Sequence, residues 1–466
     1  MDIISSIVGK INGFLWDFAL LFLLCGTGIY FTIRLKFVQI AKFKDGWDRT
    51  FGGLSLRGKA ADKEGMSSFQ SLATAVAAQV GTGNLAGAAT ALIAGGPGAI
   101  FWMWLSAFFG MATIFVEASL GQQYKTVTES GNAIGGPAYY IKAAFKGVFG
   151  KFLAGLFAIF IILALGFMGN MVQSNSISGA FANAFPQIKP IYIGIACALV
   201  AAFIFIGGLK RIASFAEKTV PIMALFYIIG SVIILIMNIK NLPSSIVLIF
   251  TSAFNPQAVI GGGLGIGVQQ AMRYGVARGL FSNEAGMGST PHAHALAKVK
   301  HPCEQGTVAM IGVFIDTFVV LNLTAFVVLT SGILQNQVYP LESASLIPEI
   351  LKGIGLPQEA FKMGFGFFGV VFVAICLLFF AFTTIIGWYF FGEQNVKYLF
   401  GAKAVKVYAV LVVGFILLGS VLKVDLVWDL ADCFNGLMVI PNLLGILALS
   451  GIVGTLFKEY NDLNKK

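Results

Sequence analysis

The sequence predicts an all-α integral membrane protein of about eleven transmembrane helices, built as two inverted halves of five helices that follow one extra N-terminal helix. Three observations carry this reading. The 466 residues are 57% hydrophobic and 11% charged, with a mean hydropathy of +0.85, a composition that belongs to membrane proteins rather than soluble domains. Apolar runs of roughly 20 residues, enough to cross a hydrocarbon core, recur along the whole chain. The second and seventh of these runs are interrupted by glycine clusters, and paired interruptions in corresponding places point to an inverted repeat with a binding site near the membrane midplane.

The first run, Phe14 to Leu35, is expected to persist as a helix. The start MDIISSIVGK opens with an acid and lacks the basic leading segment of a secretory signal. Next, Phe37 to Phe51 mixes aromatic residues with Lys and Arg, and reads either as an interfacial segment or as a solvated connector. Gly53 to Lys59 imitates a phosphate loop, but Ala60 stands where Ser or Thr is required and no buried strand precedes it. Nucleotide binding is therefore set aside.

The second run, Ser67 to Ala94, is broken near its middle by Gly81-Thr82-Gly83-Asn84 and closed by Gly95-Gly96-Pro97-Gly98. Lipid offers nothing to the N–H and C=O groups that such a break frees, so it must line protein, water, an ion or a substrate. Gln79 to Asn84 is thus the first candidate site. Four spans follow, near Ala99 to Leu120, Phe152 to Val172, Ile191 to Ile206 and Val220 to Met237. The seventh, Ile246 to Tyr274, is interrupted at Gly261 to Gly267, which puts Gly263 at a second break. No strand precedes these glycines, so they are not a dinucleotide fingerprint. The last four spans are Val308 to Leu329, Met363 to Phe391, Val407 to Val421 and Phe434 to Phe457. Residues 67–238 and 246–457 then form the two five-helix repeats, with 14–35 as the added helix, in one transmembrane domain covering 1–466.

If the spans alternate across a membrane, 25 of the 31 Lys and Arg residues fall on one side. By the positive-inside rule this places the N-terminus outside and the C-terminus in the cytoplasm, in the plasma (cytoplasmic) membrane. The same asymmetry accounts for the net charge of +10 without nucleic acid as a partner. The five cysteines are scattered and show neither a disulfide framework nor metal-ligand spacing.

Gly95-Gly-Pro-Gly-Ala-Ile-Phe-Trp-Met-Trp104-Leu-Ser-Ala-Phe-Phe-Gly110 closely resembles the signature of the alanine or glycine:cation symporter family. Met272-Arg-Tyr-Gly-Val-Ala-Arg-Gly-Leu-Phe-Ser-Asn-Glu-Ala-Gly-Met-Gly288 resembles the loop that follows that family's second broken helix. The likeness runs essentially end to end. It implies a leucine-transporter-type five-plus-five fold and sodium-coupled symport of small neutral amino acids such as alanine and glycine. Carried over residue by residue, it sets Thr82, Gly83 and Asn84 at the first break and Gln173 facing them from the fourth span. Thr384 and Trp388 then line the pocket from the ninth span, and being four apart they share one helix face.

A zwitterion at the midplane needs N–H groups for its carboxylate and oxygens for its ammonium, and broken helices supply both. Backbone carbonyls near Ala77 to Val80, with the hydroxyl of Thr383 or Thr384, form an oxygen site suited to Na⁺. No cofactor beyond Na⁺ as coupling ion is expected, and no enzyme activity. Lipid is the surrounding partner. Asp17, Glu117 and Asp316 are acids within spans, each a functional candidate because a charge at membrane depth costs roughly 3 kcal/mol or more. Glu117 is expected near a water-accessible end, while gating, ion binding and a helix-to-helix hydrogen bond stand open for Asp316. Proton coupling is the alternative to sodium. A glycine-lined channel lacks a charged ring, and a metallohydrolase built on His292, His294 and Glu284 lacks a third ligand at helical spacing.

Overall fold

The computed structural model describes residues 2–52, 65–127, 133–254, 268–334, 348, 351–422 and 424–463. The expected break at Gly263, the stretch Gly53 to Lys59 and the side chain of Asp17 lie outside the described residues. Among the described residues the chain is nearly all helical. Seven helices are long and apolar enough to cross a membrane, and the pair Ser68–Gln79 and Gly83–Gly95, bent by 48°, makes an eighth. Leu20–Arg34, Pro190–Ile206 and Ile239–Phe254 are apolar but shorter.

Helix α1 (Asp2–Phe14) passes through a π-helical turn, Leu15–Ala19, into α2 (Leu20–Arg34). Two short helices follow, α3 (Val38–Ala41) and α4 (Phe43–Phe51). The stretch read as an interfacial segment or connector is thus helical, and it packs tightly: a Cβ on Gly46 would lie 2.5 Å from the Thr307 carbonyl oxygen. Helix α5 (Ser68–Gln79) opens on a capping box, in which the Ser67 hydroxyl accepts the Gln70 N–H and the Gln70 side chain accepts the Ser67 N–H. After the break come a π-helical turn, Gly83–Gly87, then α6 (Ala88–Gly95) and α7 (Gly98–Gln123).

A small exception to the all-helical expectation is an antiparallel strand pair, Thr126–Val127 with Ala133–Ile134. Then follow α8 (Pro137–Ala144) and α9 (Gly147–Ile161), which runs through the π-helical segment Ile162–Gly169 into α10 (Asn170–Ala184). Helices α11 (Pro190–Ile206), α12 (Gly208–Met237) and α13 (Leu242–Phe254) lead to residue 254, and the described chain resumes with α14 (Val268–Asn283). Beyond the short α15 (Pro291–His294), α16 (Pro302–Val313) continues through the π-helical Phe314–Leu321 into α17 (Asn322–Thr330). Helix α18 (Gly355–Phe365) precedes α19 (Phe367–Phe400), and α20 (Val405–Val421) follows.

The last expected span, Phe434 to Phe457, is corrected to parts of two helices, α21 (Val424–Ala448) and α22 (Ser450–Leu463). Hydropathy merged them because apolar residues run on through the turn at Leu449, whereas Arg34 Nε donates to the Ser450 carbonyl at 3.1 Å and ties the second helix to α2. Small residues let the central helices approach closely. A Cβ on Gly98 would meet the Ser252–Ala253 backbone at 2.5 Å, and one on Gly275 would meet the Ala99 carbonyl at 2.5 Å. Helices α7, α13 and α14 are locked together by these contacts, and α14 is held beside the broken helix.

Candidate functional site

Helix α5 stops because Val80 turns extended (φ −79°, ψ 90°). In a continuous helix the Gly81 N–H would return to the Ala77 carbonyl. Here it donates to Asn84 Oδ1 at 2.9 Å, and the Asn84 N–H goes to the Gly81 carbonyl at 3.3 Å instead of to Val80. Ala77 and Val80 therefore lose their helical donors. The Thr384 hydroxyl lies 3.1 Å from the Ala77 oxygen, 3.4 Å from the Val80 oxygen and 3.0 Å from the Phe380 oxygen. The Thr383 hydroxyl joins this group through the Phe380 carbonyl at 2.9 Å while turning toward Met223 Sδ on α12 at 3.5 Å. Neutral carbonyl and hydroxyl oxygens thus gather where α5 crosses α19, the donor set a hard cation prefers.

One residue further, Thr82 donates through both its N–H (3.1 Å) and its hydroxyl (2.7 Å) to Gln173 Oε1 on α10. These two bonds fix the amide and leave Gln173 Nε2 buried with no hydrogen-bond partner. Gly81 sits between the two helices: a Cβ there would lie 2.3 Å from Thr384 Oγ1 and 3.2 Å from Gln173 Oε1. One turn beyond Thr384, the Trp388 indole covers Gly169, where a Cβ would meet its Cζ3 at 2.5 Å. Phe281 stands edge-on to it at 5.7 Å. Gly81, Thr82, Gln173, Thr384 and Trp388 thus belong to one fully buried patch.

Gln79, Gly83 and Asn84 face the other way. Gln79 Nε2 donates to the Asn283 carbonyl at 2.6 Å, and Gly83 is pressed against Ser282, whose Cα would lie 2.9 Å from an added Cβ. Asn84 Nδ2 donates to Asp316 Oδ1 at 2.7 Å. Asp316 also accepts from Ser282 Oγ (3.0 Å) and Thr317 Oγ1 (2.9 Å). Of the roles left open for Asp316, the one the contacts display is a helix-to-helix hydrogen bond. It binds the break to α14 and to the π-helical Phe314–Leu321.

Glu117 is corrected from a residue with water in reach to a fully buried one. Its carboxylate accepts the N–H groups of Gly286 (3.0 Å) and Gly288 (2.9 Å) and the Asn442 amide. Glu284, read from the sequence only as a neighbour of the histidines, accepts the Trp388 indole N–H and the Ser289 hydroxyl. It does so from a left-handed backbone (φ 59°), an uncommon conformation for a side-chain-bearing residue. His292 uses both ring nitrogens, on the Ser289 carbonyl (2.7 Å) and the Asn395 amide (2.8 Å). His294 Nδ1 meets the Gln305 amide at 2.7 Å. Among the described residues no group of three or more His, Cys, Asp or Glu is placed to hold a metal ion.

A multi-pass helical membrane protein with a broken helix, freed carbonyls and a buried polar patch belongs to the transporter class. The model of the sodium:alanine symporter family matches residues 1–466, and the chain belongs to that family. The chain is 41% identical over 471 residues to the sodium/alanine symporter AgcS of Methanococcus maripaludis, covering 100% of this chain and 99% of that protein. It is 42% identical to the probable sodium/glutamine symporter GlnT of Bacillus subtilis, with 100% and 92% covered. The putative sodium/proton-dependent alanine carrier protein YrbD of the same organism is 41% identical, with 99% and 93% covered. Among solved structures, MhsT in complex with L-phenylalanine shares the fold with a TM-score of 0.56 at 13% identity, over 86% of this chain and 98% of its own.

Proposed function

We propose that this protein is a sodium-coupled symporter of small neutral amino acids, alanine or glycine, working by alternating access in the cytoplasmic membrane. Its architecture on this reading is the five-plus-five inverted repeat with one added helix, eleven spans in all, N-terminus outside. The observation that carries the proposal is the convergence of the Ala77, Val80 and Phe380 carbonyls on the Thr384 hydroxyl. Na⁺ is held there by oxygens released at the break, with no carboxylate needed to balance it. The unpartnered Gln173 Nε2, next to the Thr82 N–H, supplies a donor for a substrate carboxylate. Trp388 bounds the volume available to a side chain. Relatives named for alanine and for glutamine define the cargo to be compared.

Uptake of radiolabelled alanine, glycine and glutamine into proteoliposomes under imposed Na⁺ or H⁺ gradients tests the proposal. Alanine or glycine accumulation that requires Na⁺ supports it. Proton coupling is the second reading, favoured by Asp316, a buried carboxylate bonded directly to the broken helix through Asn84. Accumulation driven by a pH gradient with choline replacing Na⁺ would select that reading.

A further inference from the structure

We propose that Glu217 forms a second cation site, a stopping point for Na⁺ on its way from the Thr384 oxygen cluster to the lysine- and arginine-rich side. The proposal rests on the reading of that cluster as the Na⁺ site. Glu217 is 6% exposed. Its Oε2 accepts the Gln70 amide at 2.9 Å, but its Oε1 is buried with no hydrogen-bond partner. A buried carboxylate oxygen left bare is costly, and such an atom asks for a ligand. The backbone adds a second oxygen: Pro221, within α12, has no N–H to return to the Glu217 carbonyl four residues earlier.

Position connects this residue to the cluster. Gln70 and Ala77 are two turns apart on α5, so Gln70 lies on the face that carries the Ala77 carbonyl, about 10 Å away at 1.5 Å per residue. On α12 the buried stripe runs Ala213, Glu217, Val220, Met223, and Met223 touches the Thr383 hydroxyl. Glu217 stands about 9 Å before Met223 by the same rise. The contacts come in the same order along both helices, Gln70 with Glu217 and then Ala77 with the threonine pair that Met223 touches, so both measures place Glu217 on one seam with the cluster. An ion leaving Thr384 between α5 and α12 passes neutral oxygens first and then meets a single negative charge. That charge lowers the barrier to departure without adding charge to the first site.

The test separates net transport from exchange. Net alanine uptake into Na⁺-free proteoliposomes requires Na⁺ to be released inside, whereas alanine-for-alanine exchange with saturating Na⁺ on both sides does not. Glu217→Gln keeps an oxygen for Gln70 and removes the charge. Net uptake is expected to fall about tenfold, with exchange held within about twofold. Glu217→Asp, which keeps the charge, recovers most of the net rate. Equal loss in both modes by Glu217→Gln, in protein that remains monodisperse, overturns the proposal and makes the carboxylate an end cap for α5. An unchanged net rate overturns it too. Thr384→Ala is the control for the underlying reading, since it raises the Na⁺ concentration that either mode needs for half its maximal rate; if that concentration is unchanged in both, the cluster itself is misassigned, whatever Glu217 does.

Discussion

The Trp388 indole N–H donates to the Glu284 carboxylate across 104 residues of sequence. The bond ties the wall of the buried patch on α19 to the loop that follows α14. Its second oxygen is taken by Ser289, so Glu284 is a clamp between that loop and the wall. Glu284→Ala strands the indole N–H and the Ser289 hydroxyl in a buried site, at roughly 1–3 kcal/mol each. Lower thermal stability in detergent is expected, together with weaker discrimination against amino acids larger than alanine. In a Trp388→Phe background Glu284→Gln should add little further change in the competition profile. A full additional effect would mean that Glu284 acts through some other contact.

Gly81 admits no side chain. The Cβ of Gly81→Ala would lie 2.3 Å from the Thr384 hydroxyl oxygen, closer than any ordinary contact, so either α5 or α19 must move. Sodium-dependent alanine uptake is expected to vanish while the protein still inserts and purifies as a monodisperse species. Retained uptake would show that the α5 to α19 approach is dispensable.

The two threonines of α19 are separable. Thr384 touches the Ala77, Val80 and Phe380 carbonyls, whereas Thr383 reaches only Phe380 and then Met223. Thr384→Ala should raise the Na⁺ concentration for half-maximal uptake about tenfold, equivalent to ~1.4 kcal/mol. Thr383→Ala should raise it less. Sodium titrations of uptake measure both, and the reverse order would relocate the ion.

Asp316 accepts three hydrogen bonds from three different elements. Asp316→Asn turns one acceptor into a donor facing either Thr317 or the Asn84 and Ser282 pair, so at least one buried group loses its partner. A stability loss of roughly 1–3 kcal/mol is expected. If Asp316 serves only to join helices, the surviving transport keeps its dependence on Na⁺ and ignores a pH gradient.

The break at Gly81 to Asn84 was legible because a glycine cluster inside an apolar run frees backbone groups that lipid cannot satisfy, and Thr384 and Trp388 were legible as a pair because helix spacing is local. Their partners were not. The Trp388 bond to Glu284 and the Gln70 bond to Glu217 span 104 and 147 residues, and no periodicity encodes which distant carboxylate a helix face will meet. Gln79 and Asn84 show the same limit in reverse. They flank the break in sequence, yet the 48° bend between the two half-helices leaves them against Asn283 and Asp316 instead of the patch. Glu117 reads as accessible in the sequence since its expected span ends three residues later, at Leu120; only the fold brings the Gly286 and Gly288 amides over it.

The remaining prediction concerns driving force. The proposed cargo is a net-neutral zwitterion and the oxygens around Thr384 are uncharged, so each cycle carries the charge of the ion across the membrane. One charge moving through about 150 mV contributes roughly 3.5 kcal/mol, and a tenfold Na⁺ gradient adds about 1.4 kcal/mol. Together they amount to nearly 5 kcal/mol, which at one-to-one coupling permits accumulation on the order of a few thousandfold. The larger share is electrical. With equal Na⁺ on both sides, an inside-negative potassium-diffusion potential alone should therefore drive uphill alanine uptake into proteoliposomes, and collapsing that potential should bring the internal and external concentrations level. Uptake that ignores the potential, or that proceeds as well in choline as in Na⁺, would mean that the Thr384 oxygens do not hold the coupling ion.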